Sequence, residues 1–290
     1  MRDYVIVSDA TLDLPSEVIK KFNIKVIPMV FDLDDVTYTH FPDERELSIE
    51  DFYGKLKNGG TSVSSQISPL VYEEFFEEIL KEDKDILYIC FTSGMSGTFN
   101  VSSFVMNELK EKYPSHKIYN VDSLCACIGE GLLVLNAAMK KDEGLSIDEL
   151  KDWVNENKQN VRHWFTVKDL FHLKRGGRIS SVEALVGTAL KIRPVLSVDE
   201  AGKLTVISKI RGSKKELEYL LNKLLEEGNN LNNQTIIIGH GDDFEQANLL
   251  KSMIEEKGLV KEVIVSKIGP IIGTHTGPGM LALTFLGNKQ

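Results

Sequence analysis

The sequence predicts an α/β protein of two domains, and three observations carry that expectation. Short apolar runs end repeatedly in turns rich in Ser, Thr and Gly that open helix-like segments, at residues 4–7 and again at 86–91. The chain has 290 residues, against a soft prior of roughly 150 per domain. An unbroken polar run, Asn155-Glu156-Asn157-Lys158-Gln159-Asn160, separates a first half built from strand and helix units from a second half containing a hairpin pattern. The expected division is a parallel-sheet α/β domain over residues 1–160 and a mixed-sheet α/β domain over residues 161–290.

In chain order, residues 4–7 form a strand ending in Ser8-Asp9-Ala10-Thr11, and Pro15 opens a helix over residues 17–22. Residues 24–31 are a second apolar run, and the polar residues 32–45 fit a hairpin or loop. Ser48 caps a helix over residues 49–57, with Glu50 and Asp51 in its first turn and Gly59-Gly60 as its stop. Residues 61–69 read as a hydroxyl-rich loop, followed by a helix over 70–81. The apolar run 86–91 leads through Thr92-Ser93-Gly94-Met95-Ser96-Gly97-Thr98 into a helix over 101–112. A strand follows over 117–121. Residues 126–140 are apolar nearly all round, as a buried helix requires, and Ser146 with Glu149 is a capping box for a helix running to Asn157.

The second half begins with a strand over 161–167 and a helix over 169–174 broken at Gly176-Gly177. Residues 182–190 are helical in pattern. Residues 194–198 and 204–209 pair as antiparallel strands across Asp199-Glu200-Ala201-Gly202. A helix over 213–227, a strand over 235–238, a helix over 244–257 and a strand over 262–267 complete the alternation. The loop Ile271-Ile272-Gly273-Thr274-His275-Thr276-Gly277-Pro278-Gly279 then leads to an apolar helix over 280–286.

Composition narrows the function. A net charge of -9 opposes general nucleic-acid binding, which needs a basic field. The opening residues hold a strand rather than a charged leader, and no run approaches the ~18 apolar residues of a membrane span, so a cytoplasmic location is expected. The three cysteines, Cys90, Cys125 and Cys127, match no disulfide or zinc framework and are expected as reduced packing residues. The six histidines have no metal-ligand spacing, so neither a metal nor a cofactor is expected.

Most enzyme motifs fail. Gly94-Met95-Ser96-Gly97-Thr98 has threonine where a nucleophile elbow needs its second glycine. Neither a P-loop nor a dinucleotide fingerprint is present. What remains is three segments of one character: Ser64-Ser65-Gln66, Ser93-Gly94-Met95-Ser96 and His275-Thr276-Gly277. They offer neutral donors and one histidine able to gain a proton near neutral pH, a set that suits a small anion if the three converge.

Six segments in order resemble the DegV family from end to end: Ser8-Asp9-Ala10-Thr11 with Asp13-Leu14, Ser64-Ser65-Gln66-Ile67-Ser68-Pro69, Thr92 to Thr98, Leu173-Lys174-Arg175-Gly176-Gly177-Arg178-Ile179, Lys191-Ile192-Arg193-Pro194, and His275-Thr276-Gly277-Pro278-Gly279. The resemblance implies a two-domain protein enclosing one long-chain fatty acid between its domains. It also implies the role of fatty-acid-binding subunit of a bacterial fatty acid kinase, not catalytic alone. Such a subunit presents the carboxylate to a separate ATP-binding kinase subunit and carries the acyl phosphate to an acyltransferase of phospholipid synthesis. Carried across, the carboxylate ligands are Ser64, Ser93 and His275, supported by Ser65, Gly94, Ser96, Thr276 and Gly277, with Thr61 and Ser62 competing for the first role. Arg175 and Arg178 match a surface that meets the kinase. Two readings compete. One is a serine hydrolase of acyl or phosphate esters using Ser93 or Ser96 with His275, and Asp9 or Asp122 as the orienting acid. The other is a lipid-sensing module that works without a kinase.

Overall fold

The computed structural model describes residues 2–168, 170–180 and 192–288. The first half contains, in order, β1 (Tyr4–Asp9), α1 (Ser16–Lys21), β2 (Lys25–Ile27), β3 (Met29–Leu33), β4 (Val36–His40), α2 (Ile49–Lys57), β5 (Ser62–Ser64), α3 (Pro69–Lys81), β6 (Asp85–Cys90), α4 (Thr98–Lys112), β7 (Ile118–Asp122), α5 (Ile128–Asp142) and α6 (Ile147–Asn157). Four of these strands form a parallel sheet in the order β2-β1-β6-β7. Every residue of β1 and β6 is buried, as expected for central strands covered on both faces. The polar residues 32–45 begin as a hairpin. Asp34 and Asp35 both take positive φ, 50° and 64°, as a tight type I′ connection between β3 and β4 requires. The expected loop at residues 61–69 instead contributes β5, which pairs with β3 and completes a small antiparallel sheet, β4-β3-β5. Three alternating residues suffice to pair, and their hydroxyls do not prevent it.

The second half contains β8 (Val161–Thr166), α7 (Phe171–Arg175), β9 (Ile192–Val198), β10 (Leu204–Arg211), α8 (Ser213–Glu227), β11 (Thr235–His240), α9 (Phe244–Glu255), β12 (Glu262–Lys267), α10 (Pro270–Thr276) and β13 (Leu281–Leu286). Its six-stranded mixed sheet runs β10-β9-β8-β13-β11-β12, with only the last pair parallel. The apolar helix expected over 280–286 is therefore wrong: the segment is β13, antiparallel to both β8 and β11. A central strand is buried on both faces and loses the alternation that would separate it from a buried helix. His275 and Thr276, expected in a loop, end α10 instead, and Gly277 at φ 70° follows as its cap. The helical pattern at 182–190, together with Asp169 and Lys191, lies outside the described residues.

Side-chain alternation along the strands sorts the core into three. Val5, Val7, Ile86 and Tyr88 face α3 and α4, while Tyr4, Ile6, Leu87 and Ile89 face α5 and α6 on the opposite side. In the second sheet Trp164, Ile236, Ile238 and Leu283 face α8 and α9, whereas Phe165, Leu196, Ile237 and Ala282 point inward. The inward-facing sets belong to one continuous core, and α5 lies between the two sheets. This explains why α5 is apolar nearly all round. Both sheets press on it.

Candidate functional site

A cavity of about 260 Å³ opens where the three layers meet. One end is hydroxyl-rich. β5 pairs with β3 at one edge and lies against α10 at the other, where Ser62 Oγ and Thr274 Oγ1 are 2.7 Å apart and Ser64 Oγ and His275 Nε2 are 2.8 Å apart. Period-two spacing on the strand puts both serines toward the helix, one behind the other. Ser62, buried, is consumed by Thr274, and Thr61 is exposed with its amide on Asp34. Of the three competing hydroxyls only Ser64 lines the cavity.

His275 behaves differently from its sequence expectation. Burial, helped by the nearby cations Arg178 and Arg175, pushes its pKa down to about 4, so the free imidazole is neutral at pH 7 rather than poised to gain a proton. Its Nδ1 is buried and, among the described residues, without a hydrogen-bond partner, and it faces the backbone of Gly176, where a Cβ would overlap it. The α7 turn thus fixes the ring by contact.

The Thr92 to Thr98 turn divides into two roles. Thr92 Oγ1 donates to the carbonyl of Gly202 in the β9–β10 turn at 3.0 Å, and a Cβ on Gly94 would overlap the carbonyls of Ala201 and Gly202. This front half fastens the first sheet to the second. Ser93 is exposed, outside the cavity lining, with its amide donating to Asp122. The structure therefore does not bring Ser93 to Ser64 and His275. The back half does reach the cavity: Met95, Ser96, Gly97 and Thr98 line it, and Ser96 Oγ lies 2.7 Å from Thr98 Oγ1 at the start of α4. Hydroxyls and the first turn of a long helix favour an anion there. Ser65 and Thr276 also line the cavity, whereas Gly94 and Gly277 do not.

Arg178 and Arg175 separate as well. Arg175 is exposed, over the ring of Phe171. Arg178 is half-buried, lines the cavity and donates to the carbonyl of Gly176. The remaining walls are mostly apolar, with Met29, Phe91, Leu173, Val198, Ile271 and Met280 among them, interrupted by Thr11, Gln66, His163 and Thr284.

A buried carboxyl pair behind this wall escaped sequence reasoning. Ser8 Oγ lies 2.9 Å from both Glu130 of α5 and the Ile89 carbonyl, Glu130 meets Thr11 Oγ1 at 2.8 Å, and Asp9 also meets Thr11 Oγ1 while accepting from Tyr88 at 2.9 Å. One threonine hydroxyl carries one proton, so it can donate to only one of the two carboxylates. The other must be protonated and donate to it. Burial pushes the pKa of both carboxyls up, and the Asp9 charge adds to the rise at Glu130. The signal available was Glu130, a lone carboxylate within the apolar stretch 126–135.

Cys90, Cys125 and Cys127 are free and buried. Among the described residues, no group of His, Cys, Asp and Glu is arranged to hold a metal ion, and no helix is long and apolar enough to cross a membrane.

The family model described as "Uncharacterised protein, DegV family" matches residues 3–288. The chain belongs to the DegV family. A DegV domain-containing protein of Clostridium perfringens is 44% identical over 290 residues, covering 100% of this chain and 99% of the relative. One from Lactococcus lactis is 35% identical over 287 residues, covering 99% of each. Among solved structures, a DegV family protein from Thermus thermophilus, studied for its fatty acid binding, superposes with a TM-score of 0.88 at 26% identity, covering 99% of this chain and 100% of that one. DegV from Bacillus subtilis, a fatty acid binding protein, superposes with a TM-score of 0.85 at 28% identity and the same coverage. The parallel first sheet and mixed second sheet are thus the DegV architecture.

Proposed function

We propose that this DegV chain binds one long-chain fatty acid in the cavity between its two sheets, with the carboxylate at Ser64, Ser96 and His275 and the tail along the apolar walls. The observation that carries this reading is a cavity, apolar along most of its length, that ends in converging hydroxyls, a neutral imidazole and a half-buried arginine. Binding of fatty acids by DegV relatives of the same fold supports it. A tail of about 15 carbon groups at ~0.8 kcal/mol each contributes up to ~12 kcal/mol before the losses of binding, so a few head-group contacts suffice to fix orientation. Native mass measurement of purified protein, followed by solvent extraction, tests it. One equivalent of fatty acid, bound noncovalently, is expected. A lipid-free mass together with no uptake of added fatty acid overturns it.

The finer role is presentation of the carboxylate to a separate ATP-dependent kinase subunit and delivery of the acyl phosphate to an acyltransferase, within the cytoplasm. The exposed cation Arg175, close enough to act on His275, supports a docking surface beside the head-group end. Arg175→Ala should keep its lipid and lose activation by an added kinase subunit, whereas Arg178→Ala should weaken lipid retention itself. Equal behaviour of the two variants would remove the distinction.

A hydrolase reading has one observation in its favour, with Ser64 rather than the expected Ser93 or Ser96 as nucleophile: Ser64 and His275 stand at nucleophile–base distance, 2.8 Å. Against it, among the described residues His275 Nδ1 has no acid to orient it, Asp9 is committed to Thr11 and Tyr88, and Asp122 to the amides of Ser93 and Leu124. Stoichiometric labelling of Ser64 by a covalent serine probe would favour hydrolysis; no labelling would retire it.

A further inference from the structure

A second cavity, also about 260 Å³, lies on the other side of the strap formed by residues 10–14. Thr11 and Cys127 face the first cavity, Leu12 and Asp13 the second, and Cys127 Sγ lies 3.1 Å from Asp13 Oδ2 in the partition between them. The walls of this second space come from both halves of the chain. The α1 segment and His40 line one side, Ser266 and Lys267 the other.

Its floor holds two acceptors. Asp13 is 6% exposed, and its Oδ1 takes a hydrogen bond from the Gly269 amide at 2.8 Å. His40 is also 6% exposed, lines the cavity, and has no hydrogen-bond partner on either ring nitrogen among the described residues. The two groups converge: a Cβ on Gly269 would stand 2.5 Å from His40 Nε2 and 2.8 Å from Asp13 Oδ1. Its ring nitrogens are not among the fully buried unpartnered atoms, so whatever fills the cavity, water or a ligand, can bond them.

The surrounding chemistry selects the ligand. Glu17 and Glu44 stand at the mouth, and the one cation in the lining, Lys267, is tied to Glu44 at 3.2 Å and Glu50 at 2.7 Å. That balance repels anions. Among the described residues no ligand set for a metal ion exists. Leu12, Leu14, Ile19 and Ile49 add aliphatic wall, and no Phe, Tyr or Trp lines the space, so it lacks the aromatic faces that recognise quaternary ammonium. An ammonium bearing N–H donors satisfies both acceptors at once, and its charge strengthens each bond.

We propose that this cavity is a binding site for a small primary ammonium with a short aliphatic tail, held by Asp13 and His40. Burial drives the His40 pKa down to about 4 and the Asp13 pKa up to about 7, so the imidazole is an acceptor and a bound cation would hold the carboxyl ionised.

The test titrates n-propylammonium into the full chain and follows the ring protons of His40 by NMR, assigned through His40→Gln. A saturable shift is expected, with no shift from tetramethylammonium. Affinity for n-propylammonium should fall at least about tenfold in Asp13→Asn, a loss equivalent to one charge-assisted bond. If that variant fails to fold, calorimetry on His40→Gln serves instead, with a similar weakening expected. The absence of a saturable shift, an equal response to tetramethylammonium, or unchanged affinity in the folded variant would overturn the proposal. Lipid content, read separately by extraction, is untouched by any of these outcomes.

Discussion

Ser64→Ala is the sharpest test of how the head group is held. In the lipid-free protein the substitution removes the 2.8 Å partner of His275 Nε2 on a ring whose Nδ1 is already without one. That unmet polar group destabilises the free state by about 1–2 kcal/mol. With a fatty acid in place, the loss is one hydroxyl donor to a carboxylate, about 1.5–3 kcal/mol, while the imidazole can bond the ligand directly. The difference, about 1 kcal/mol, corresponds to roughly fivefold weaker binding. Set against up to ~12 kcal/mol of tail burial, the variant should still purify with lipid and release it faster. Displacement of a fluorescent fatty acid by palmitate and by hexadecanol gives the measurement. Palmitate should weaken about fivefold and the alcohol by less than about twofold, since the alcohol lacks the charge that strengthens the lost bond. A loss beyond about a thousandfold, or equal losses for both ligands, would refute the placement of the carboxylate at Ser64.

Two further outcomes follow from the surrounding structure. Gly202 has φ 71°, and a Cβ there would overlap Thr92 Oγ1 and stand 3.1 Å from Thr92 Cβ, so Gly202→Ala should cost about 2–4 kcal/mol from left-handed strain, the lost Thr92 bond and the displaced turn; urea unfolding within about 0.5 kcal/mol of the parent would show that the turn relaxes freely. Asp13, raised by burial to about 7, binds a proton in the native state that the unfolded chain has lost, so its contribution is present at low pH and lost as pH rises between about 4 and about 7; Asp13→Asn should therefore gain stability relative to the parent across that window, and a pH-independent difference would contradict it.

The alternation of strand and helix was legible because each element carried its own local mark. Ser48 and Ser146 cap helices where their spacing to Asp51 and Glu149 says they should, whereas residues 32–45 fit a hairpin or a loop, and the turn at Asp34-Asp35 decides. Elements marked only by hydrophobicity were ambiguous. Leu281-Ala282-Leu283-Thr284-Phe285-Leu286 suits a buried helix as well as a strand flanked on both sides, and only its neighbours β8 and β11 decide. The site was half visible for a similar reason. Ser64 and His275 meet, but Ser93 and Ser96 are three residues apart in one turn with the same chemistry, and which of them faces the cavity depends on how that turn docks against Gly202. Protonation was hidden too. A histidine in a list of donors looks titratable at neutral pH until burial and two arginines are placed around it.

The position of β13 imposes an order on biosynthesis. Residues 281–286 lie between β8 and β11, so during synthesis the strands on either side emerge well before the one that joins them. Until that strand arrives, the inner wall formed by Met280 and Ala282 is missing and α10, with His275, has no strand following it to fix its end. The cavity is consequently assembled last. A chain held short of residue 281 would leave an apolar seam along β8 and β11 open to chaperones and proteases.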